Sequence, residues 1–450
     1  MSSASETGQI VCRRRVFYIP GYDPIHPRRY RELYRKESNA QAAISDYEVT
    51  MAPKPGGKTF GWTAEGRIDG KRTKARIDVL VWSDIVRRSM GKSIPATYRQ
   101  LVQTSWVYIG TGALWRLMRL RKGPVIAALY PVGMLIAQAL MALLVAVLAA
   151  RALGWGLTGG FEAITGWLDA RYPVPAGTPP VDYTVYAVAR TVLMWALGGL
   201  VCWRMLTWFK HQDGRFFAYY LMHDYAFSAR WMGANPPELE KRMSDFRATI
   251  AHALQDPVDE VLVVGHSSGA HLAVSVLADL IRAGEVPEDG PELAFLSLGQ
   301  VVPMVSFLPR AGRLRADLHY LSQRIELTWV DVTAPGDGCA FALCDPVAVS
   351  GVAPETGKRW PLVLSAAFTQ TLSPARWKEL RWRFFRLHFQ YLCAFDRPGD
   401  YDYFRITAGP RTLARRFEAR APSKSRIDLP ASKYTSMCHD ADPPETALSA

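Results

Sequence analysis

The sequence predicts an α/β protein in which a mainly parallel sheet carries helices on both faces. Short apolar runs typical of buried strands alternate with longer stretches of helical periodicity, most clearly between residues 259 and 332. A second observation adds a separate part, because the 26 residues 125–150 contain no charged side chain. About 20 such residues are enough for a helix to cross a bilayer. We therefore expect one α/β domain that is interrupted by an apolar insertion.

The N-terminal part of this domain is predicted at residues 13–122, after a short tail at 1–12. Its first element, 13–24, reads as a short buried strand followed by a Pro-Gly turn. Residues 60–84 read as a β-hairpin, with Asp69 and Gly70 at the turn. Residues 95–122 have helical spacing and lead directly into the apolar insertion.

The insertion, residues 123–210, is predicted to be a two-helix transmembrane hairpin. Its second helix, 183–209, is less apolar because Arg190 and Arg204 leave only 13 uncharged residues between them. Arginines near helix ends can extend to the headgroups, and the flanking aromatic residues suit an interface. Gly198 and Gly199 offer a surface on which the first helix can pack closely. A re-entrant or interfacial second helix remains the alternative.

Charge predicts the orientation of the hairpin. The net charge of the chain is +13, and residues 1–122 hold 23 Lys and Arg against 10 Asp and Glu. Basic residues flank both helices, whereas the connecting loop at 151–182 is not basic. The positive-inside rule then predicts an inner-membrane protein with both termini and the α/β domain in the cytoplasm. The basic face is expected to contact anionic lipid of the inner leaflet, and nucleic-acid binding is not expected.

The C-terminal part of the domain is predicted at residues 211–419. Helices are expected at 215–231, 236–255 and 268–283, followed by one that ends near 323; strands are expected at 259–265, 293–298, 325–332 and, last, within 381–392. The segment 211–258 is a candidate cap over a site. The tail at 420–450 is polar and rich in Pro and Ser, which predicts disorder.

The turn at residues 265–269 carries the clearest chemical signal. It reads Gly-His-Ser-Ser-Gly and lies between a predicted strand and a predicted helix. A Gly-x-Ser-x-Gly turn in this context resembles the nucleophile elbow of the α/β-hydrolase family. The resemblance implies that Ser267 is a nucleophile, followed along the chain by an acid and then a histidine. The alternative is a serine that only caps the following helix.

The resemblance also implies the other members of the site. Asp337, just past the strand at 325–332, is the favoured acid, and Asp331 and Asp345 are its rivals. His388 lies about where the family has its histidine, although a core or surface histidine would read the same way.

An oxyanion hole is implied by the same resemblance. Its donors would be the backbone N–H groups of Ser268 and Tyr22, with Gly21 permitting the turn. Pro20 stands where the family usually has a histidine, so this part of the match is weaker.

These observations predict a membrane-anchored serine hydrolase that cleaves an ester or thioester, with lipid-like acyl substrates as one option. The resemblance implies no cofactor and no metal. A non-catalytic membrane adaptor with the same fold is the main alternative, because a fold does not fix a function. A loosened phosphate-loop pattern at 52–59, including Lys58, is disfavoured because strand-like sequence follows it instead of a helix.

Overall fold

The computed structural model describes residues 10–438, apart from 55, 57, 58, 92, 174, 176 and 180. The chain divides into two compact units. The sheet unit comprises residues 1–90, 102–127 and 224–450, and the helical unit comprises residues 91–101 and 128–223. Lys58, in the disfavoured phosphate-loop pattern, lies outside the described residues, as do residues 1–9 and 439–450.

The sheet unit contains an eight-stranded mixed sheet of order β2-β3-β4-β1-β5-β6-β7-β8. The strands from β4 to β8 along this order pair in parallel, and β2, β3 and β4 pair antiparallel. The bounds are β1 (Arg13–Ile19), β2 (Glu48–Pro53), β3 (Gly61–Ile68), β4 (Lys71–Val79), β5 (Glu260–His266), β6 (Glu292–Leu298), β7 (Leu327–Thr333) and β8 (Leu362–Ser365). This architecture confirms the α/β class and the mainly parallel sheet.

The described residues also form eighteen α-helices and one 3₁₀-helix, Gln390–Leu392. The α-helices are α1 (Arg28–Ser45), α2 (Ser83–Ser89), α3 (Ile94–Gly110), α4 (Ala113–Leu120), α5 (Lys122–Arg171), α6 (Thr184–His211), α7 (Asp213–Phe216), α8 (Ala218–Arg230), α9 (Pro237–Ala253), α10 (Ser268–Arg282), α11 (Val302–Ser306), α12 (Gly312–Leu321), α13 (Pro346–Val349), α14 (Phe368–Thr371), α15 (Pro374–Leu380), α16 (Phe384–His388), α17 (Tyr403–Ala408) and α18 (Leu413–Phe417).

Both faces of the central strands are buried. All seven residues of β5 are buried, which explains its continuous apolar run. Leu262 and Val264 share one core cluster with Tyr34 of α1 and Phe404 of α17. Because side chains alternate along a strand, Val261 and Val263 point to the opposite face. On that face α10 packs on β5, and α9 and α12 pack against α10.

A close backbone approach fixes where β1, β5 and α10 meet. β1 lies beside β5 in parallel, with Ile19 opposite Gly265. Gly269, in the first turn of α10, has no side chain to separate it from this strand end. A Cβ atom there would lie 2.7 Å from the Pro20 carbonyl oxygen and closer still to that of Ile19. The glycine therefore lets α10 begin directly against the end of β1.

The helical unit is built on two long helices that pack against each other. Gly198 of α6 faces Ala146 and Ala150 of α5, whereas Arg190 donates a hydrogen bond to Thr158 Oγ1 at 2.7 Å. The contact residues rise along α5 from Ala146 to Thr158 while their partners fall along α6 from Gly198 to Arg190, so the two helices run antiparallel.

Both helices are long and apolar enough to cross a membrane. α5 is longer than predicted, because residues 151–171 of the expected loop continue the helix and only a short connection follows.

Two sequence predictions in the C-terminal part are wrong. The expected last strand within 381–392 is instead α16 and the 3₁₀-helix, and the last strand is β8. Alternation of large apolar and basic residues imitates a strand here, but residues 381–386 are exposed or half-buried and residues 387–392 are mostly buried, so burial does not alternate as it would in a strand. The expected disordered tail is ordered over residues 420–438: Ile427 bridges to Cys344, and the Ile427 N–H donates to the Leu343 carbonyl at 2.7 Å.

We predict that Gly269→Ala destabilises the protein, because the added methyl group would collide with backbone carbonyls that cannot rotate away. Overpacking costs about 1–3 kcal/mol or more, which should lower the apparent melting temperature of the purified protein by several degrees. Gly110→Ala is the matched control, since a Cβ atom at Gly110 meets nothing within 4 Å. Equal melting temperatures for the two variants would contradict the close approach.

Candidate active site

Ser267 occupies a strained turn between β5 and α10. Its φ of 57° and ψ of −123° place a non-glycine residue in a sparsely populated backbone region. Its N–H donates to the Leu298 carbonyl at 2.9 Å, which holds the turn to the end of β6. A Cβ atom on Gly265 would lie 2.8 Å from the Gly269 carbonyl oxygen, so the turn needs a glycine there. Ser267 is partly exposed, whereas His266 and Ser268 are buried.

Two of the predicted oxyanion-hole residues lie directly at Ser267. A Cβ atom on Gly21 would be 3.3 Å from the Ser267 hydroxyl oxygen, so this loop passes against the serine. Ser268 begins α10, where the first N–H groups of a helix have no acceptor within the helix. Tyr22 follows Gly21, and its ring packs against Phe227 of α8 at a centroid distance of 5.7 Å. The loop after β1 and the start of α10 therefore flank the serine hydroxyl.

Asp337 and His388 form a buried hydrogen-bonded pair. His388 Nδ1 lies 2.7 Å from Asp337 Oδ2, and the Tyr391 hydroxyl donates to the same oxygen at 3.0 Å. The Cys339 N–H donates to Asp337 Oδ1 at 2.9 Å. Burial acts to raise the pKa of Asp337, but the neighbouring imidazole and these hydrogen bonds outweigh it, so the pKa lies below its usual value. Asp337 is therefore an ionised acceptor at neutral pH.

Backbone contacts bring His388 to the elbow. His266, the residue before Ser267, has its Nε2 3.0 Å from the His388 carbonyl oxygen, and the two rings lie 4.9 Å apart. Burial lowers the pKa of His266 to about 3, so it is neutral and its Nε2–H donates to this carbonyl. A Cβ atom on Gly299, after β6, would lie 3.1 Å from His388 Cε1.

His388 thus contacts His266, the residue before Ser267, and lies close to Gly299. The hydrogen bonds of the described residues include none between the Ser267 hydroxyl and the His388 ring. Such a bond is often long in a site without substrate and shortens in the complex.

The two rival acids are placed away from this histidine contact. Asp331 lies within β7, where the Ser297 hydroxyl donates to it at 2.5 Å, and burial raises its pKa to about 8. Asp345 caps α13 by accepting from Val347 and Ala348 at 3.0 and 3.1 Å. The structure therefore pairs Asp337, and neither rival, with His388.

One reading of the cluster is a metal site. The ligand atoms of Asp337, Cys339 and His388 lie within 4.8 Å of one another. Burial raises the pKa of the Cys339 thiol well above its usual value. The Asp337 oxygen and the His388 nitrogen that face each other are already joined by a hydrogen bond. The geometry fits a hydrogen-bonded pair better than a set of metal ligands.

A second carboxyl group, Asp224 of α8, lies in the electrostatic range of this cluster. It interacts with His388, Cys339 and the Tyr22 hydroxyl. Burial raises the pKa of Asp224 to about 7, and the His388 charge acts to lower it. The part of the predicted cap that contains Asp224 therefore reaches the site, whereas α9 packs on α10 as part of the domain.

Sequence reasoning missed the roles of three residues. His266 was only part of the elbow motif, and Tyr391 carried no signal beyond an apolar segment. Asp224 had no assigned role. The position of His266 next to the serine could have suggested a contact with the histidine segment. The other two depend on packing between elements that are distant in sequence.

We predict that Asp224→Asn stabilises the protein increasingly as the pH rises from about 4 to 7. The folded state keeps the Asp224 proton up to a pH near 7, whereas the unfolded state loses it near the usual pKa of 3.8. The free energy of unfolding of the wild type therefore falls as the pH rises from about 4 to 7. The variant has no carboxyl group to titrate at this position and does not lose this stability. The gain in melting temperature should reach a few degrees and then stay level above pH 7, since each kcal/mol corresponds to about 2–4 °C.

Asp245→Asn, at an exposed position of α9, controls for the loss of one charge. A melting-temperature difference for Asp224→Asn that does not change with pH would show that Asp224 is ionised across the range.

No protein-family model, curated protein or solved structure matches this chain. Because one fold serves many activities, the sheet by itself does not specify a reaction. The chemistry of Ser267, His388 and Asp337 carries the functional argument.

Proposed function

We propose that the protein is a membrane-anchored serine hydrolase that cleaves an ester or thioester through Ser267, His388 and Asp337. One observation carries the proposal: Ser267 is held at positive φ at the carboxyl edge of a parallel sheet, and the preceding residue, His266, contacts the histidine of a buried His–Asp pair. A serine that only caps a helix needs neither the strained turn nor the pair. Buried charge is costly, so an ionised Asp337 that orients an imidazole favours a chemical role.

The first step is attack by Ser267 on the substrate carbonyl carbon. Because ionised Asp337 can only accept, the proton of His388 is on Nδ1, and Nε2 is left as the base. Nε2 takes the hydroxyl proton as the serine oxygen bonds to the carbon. The imidazolium then gives this proton to the leaving alcohol or thiol as the carbon–heteroatom bond breaks, which leaves an acyl-serine.

The second step hydrolyses the acyl-serine and regenerates the free Ser267 hydroxyl. Water attacks the acyl carbon, Nε2 of His388 takes a water proton, and the same proton passes to the departing Ser267 oxygen. The negative oxygen formed in each step would accept from the N–H groups of Ser268 and Tyr22. The positive end of the α10 dipole lies at the same place and favours negative charge there.

The membrane part of the proposal rests on α5 and α6, which have the length and composition of spanning helices. The excess of Lys and Arg in residues 1–122 favours a cytoplasmic domain and cytoplasmic termini at an inner membrane. A domain anchored in this way meets acyl substrates that partition into the bilayer. We therefore propose lipid-like acyl esters or thioesters as the substrate class.

We predict that a fluorophosphonate probe labels the wild-type protein and that Ser267→Ala abolishes the labelling. Ser268→Ala is the matched control, because it removes only the neighbouring hydroxyl and keeps the backbone N–H that the mechanism uses. Labelling is measured by gel fluorescence on protein purified in detergent. If well-folded wild-type protein takes up no probe, the adaptor function replaces the hydrolase. Labelling that survives Ser267→Ala would assign the reaction to another residue.

We predict that Asp337→Asn slows labelling by about 10³-fold or more, because an amide can stabilise the wrong imidazole tautomer and no longer balances its charge. Asp331→Asn should label at nearly the wild-type rate, since that buried carboxyl contacts Ser297 and is already neutral at pH 7. The rates are compared at pH 7. Equal losses in the two variants would contradict the assignment of Asp337 as the acid.

A further inference from the structure

An open cleft of the sheet unit lies beside the loop that carries Asp337. Its volume is about 1060 Å³. One wall is formed by α4 and the first residues of α5, a second by the loop 335–342, and a third by α15 and α16. Ser267 does not line it. The cleft is therefore distinct from the serine side of the proposed active site.

Cationic side chains are concentrated around the cleft. Arg119, Arg121, Lys122 and Arg381 line it, and Asp337, the one acidic residue in its lining, is hydrogen-bonded to His388. Arg121 donates to the Ala342 carbonyl at 2.8 Å. Within the described part of the chain, none of the four cations forms an ion pair with a carboxylate. Uncompensated cations around a cleft favour an anionic ligand.

Aromatic side chains surround these cations. Trp115, Trp377, Trp382 and Phe384 line the same cleft, and the guanidinium of Arg381 lies 5.7 Å from the Trp382 ring centre. Trp382 is 72% exposed and Trp115 is 57% exposed. Large exposed tryptophans are costly on a surface that meets only water, but they are favoured at the boundary between headgroups and acyl chains. The combination therefore fits a ligand with an anionic head beside an apolar part.

The position of the cleft along the chain indicates where such a ligand comes from. Lys122, Gly123 and Pro124 line the cleft and are the first residues of α5, and the 26-residue uncharged run begins at the next residue. If α5 enters a bilayer at this point, the cleft lies at the depth of the lipid phosphates. The positive end of the α5 dipole adds to the attraction for a phosphate there.

A neighbouring helix supports contact with the membrane surface. Val102, Trp106 and Ile109 of α3 are exposed, and their spacing of four and three residues puts them on one face of the helix. Trp106 is 78% exposed. Such an apolar face on a helix that leads into α4 and α5 suits the lipid interface.

We propose that this cleft binds the phosphate headgroup of an anionic phospholipid from the membrane into which α5 inserts. Arg119, Lys122 and Arg381 would contact the phosphate oxygens, and Trp115 and Trp382 would lie against the glycerol and upper acyl chains. The inference rests on the membrane placement within the proposed function and is independent of the chemistry at Ser267. The loop 335–338 forms both a wall of this cleft and the support of Asp337, so a bound lipid would contact the acid loop from outside.

The test uses the full chain in nonionic detergent and native mass spectrometry. The protein is titrated with phosphatidylglycerol, with phosphatidylcholine of the same acyl chains, and with inorganic phosphate. We expect the wild type to bind phosphatidylglycerol more tightly than phosphatidylcholine. The variant Arg119→Gln/Lys122→Gln/Arg381→Gln should bind phosphatidylglycerol at least about 10-fold more weakly than the wild type does. Each cation near a charged lipid surface contributes a several-fold effect.

A matched control removes the same charge elsewhere. Lys71→Gln/Lys241→Gln/Lys424→Gln changes three exposed lysines outside the cleft and should keep the wild-type lipid preference. Arg119→Lys/Arg381→Lys keeps the cleft charges and should bind nearly as the wild type does. This second variant separates charge recognition from damage to the fold.

The outcomes distinguish the lipid site from the proposed hydrolase. Equal binding of the two lipids, or equal losses in the two triple glutamine variants, would overturn the lipid site. Inorganic phosphate that binds as tightly as phosphatidylglycerol would also overturn it, because the apolar part of the ligand would then contribute nothing. Fluorophosphonate labelling of the same samples tests Ser267 separately, and its absence would speak against the hydrolase alone.

Discussion

The close contact between the start of α10 and the end of β1 is the constraint on which the site depends. Gly269 lets the helix begin against the carbonyls of Ile19 and Pro20, and this contact leaves the chain no room for a gentler turn after β5. Ser267 lies in this tight turn with a φ of 57°. The same contact brings Gly21 against the serine hydroxyl. One backbone approach therefore sets both the pose of the serine and the path of its neighbouring loop.

A chain of hydrogen bonds extends this order to the histidine. His266 holds the backbone of His388, Asp337 orients its ring, and Tyr391 fixes the carboxylate that does so. Each member is buried, so each hydrogen bond acts in surroundings of low dielectric and an unpaired partner would be costly. Burial acts to raise the pKa of Asp337, and its partners outweigh that effect. Asp331 accepts from the Ser297 hydroxyl, and burial raises its pKa to about 8. Environment, and not residue type, separates the two acids.

The insertion adds two helices that are long and apolar enough to cross a membrane to the chain that carries the proposed site. β1 and β5 are neighbours in the sheet although the whole helical unit lies between them in the chain. A parallel sheet tolerates this because its strands need crossover connections in any case. The basic cleft at the beginning of α5 is lined in part by the loop 335–338, which contains Asp337.

The sequence by itself determined the elements with strong local patterns: the α/β class, strands β1, β5, β6 and β7, the elbow at Ser267 and the two long apolar helices. Their signals are periodicity, glycine spacing and the absence of charge, which are local properties. Only the tertiary structure decided that Asp337 and not Asp331 or Asp345 meets His388, that His388 ends a helix and not a strand, and that residues 420–438 are ordered. Those outcomes depend on contacts between segments that are far apart in the chain. The energies of these contacts depend on how the segments pack, which local sequence patterns do not reveal.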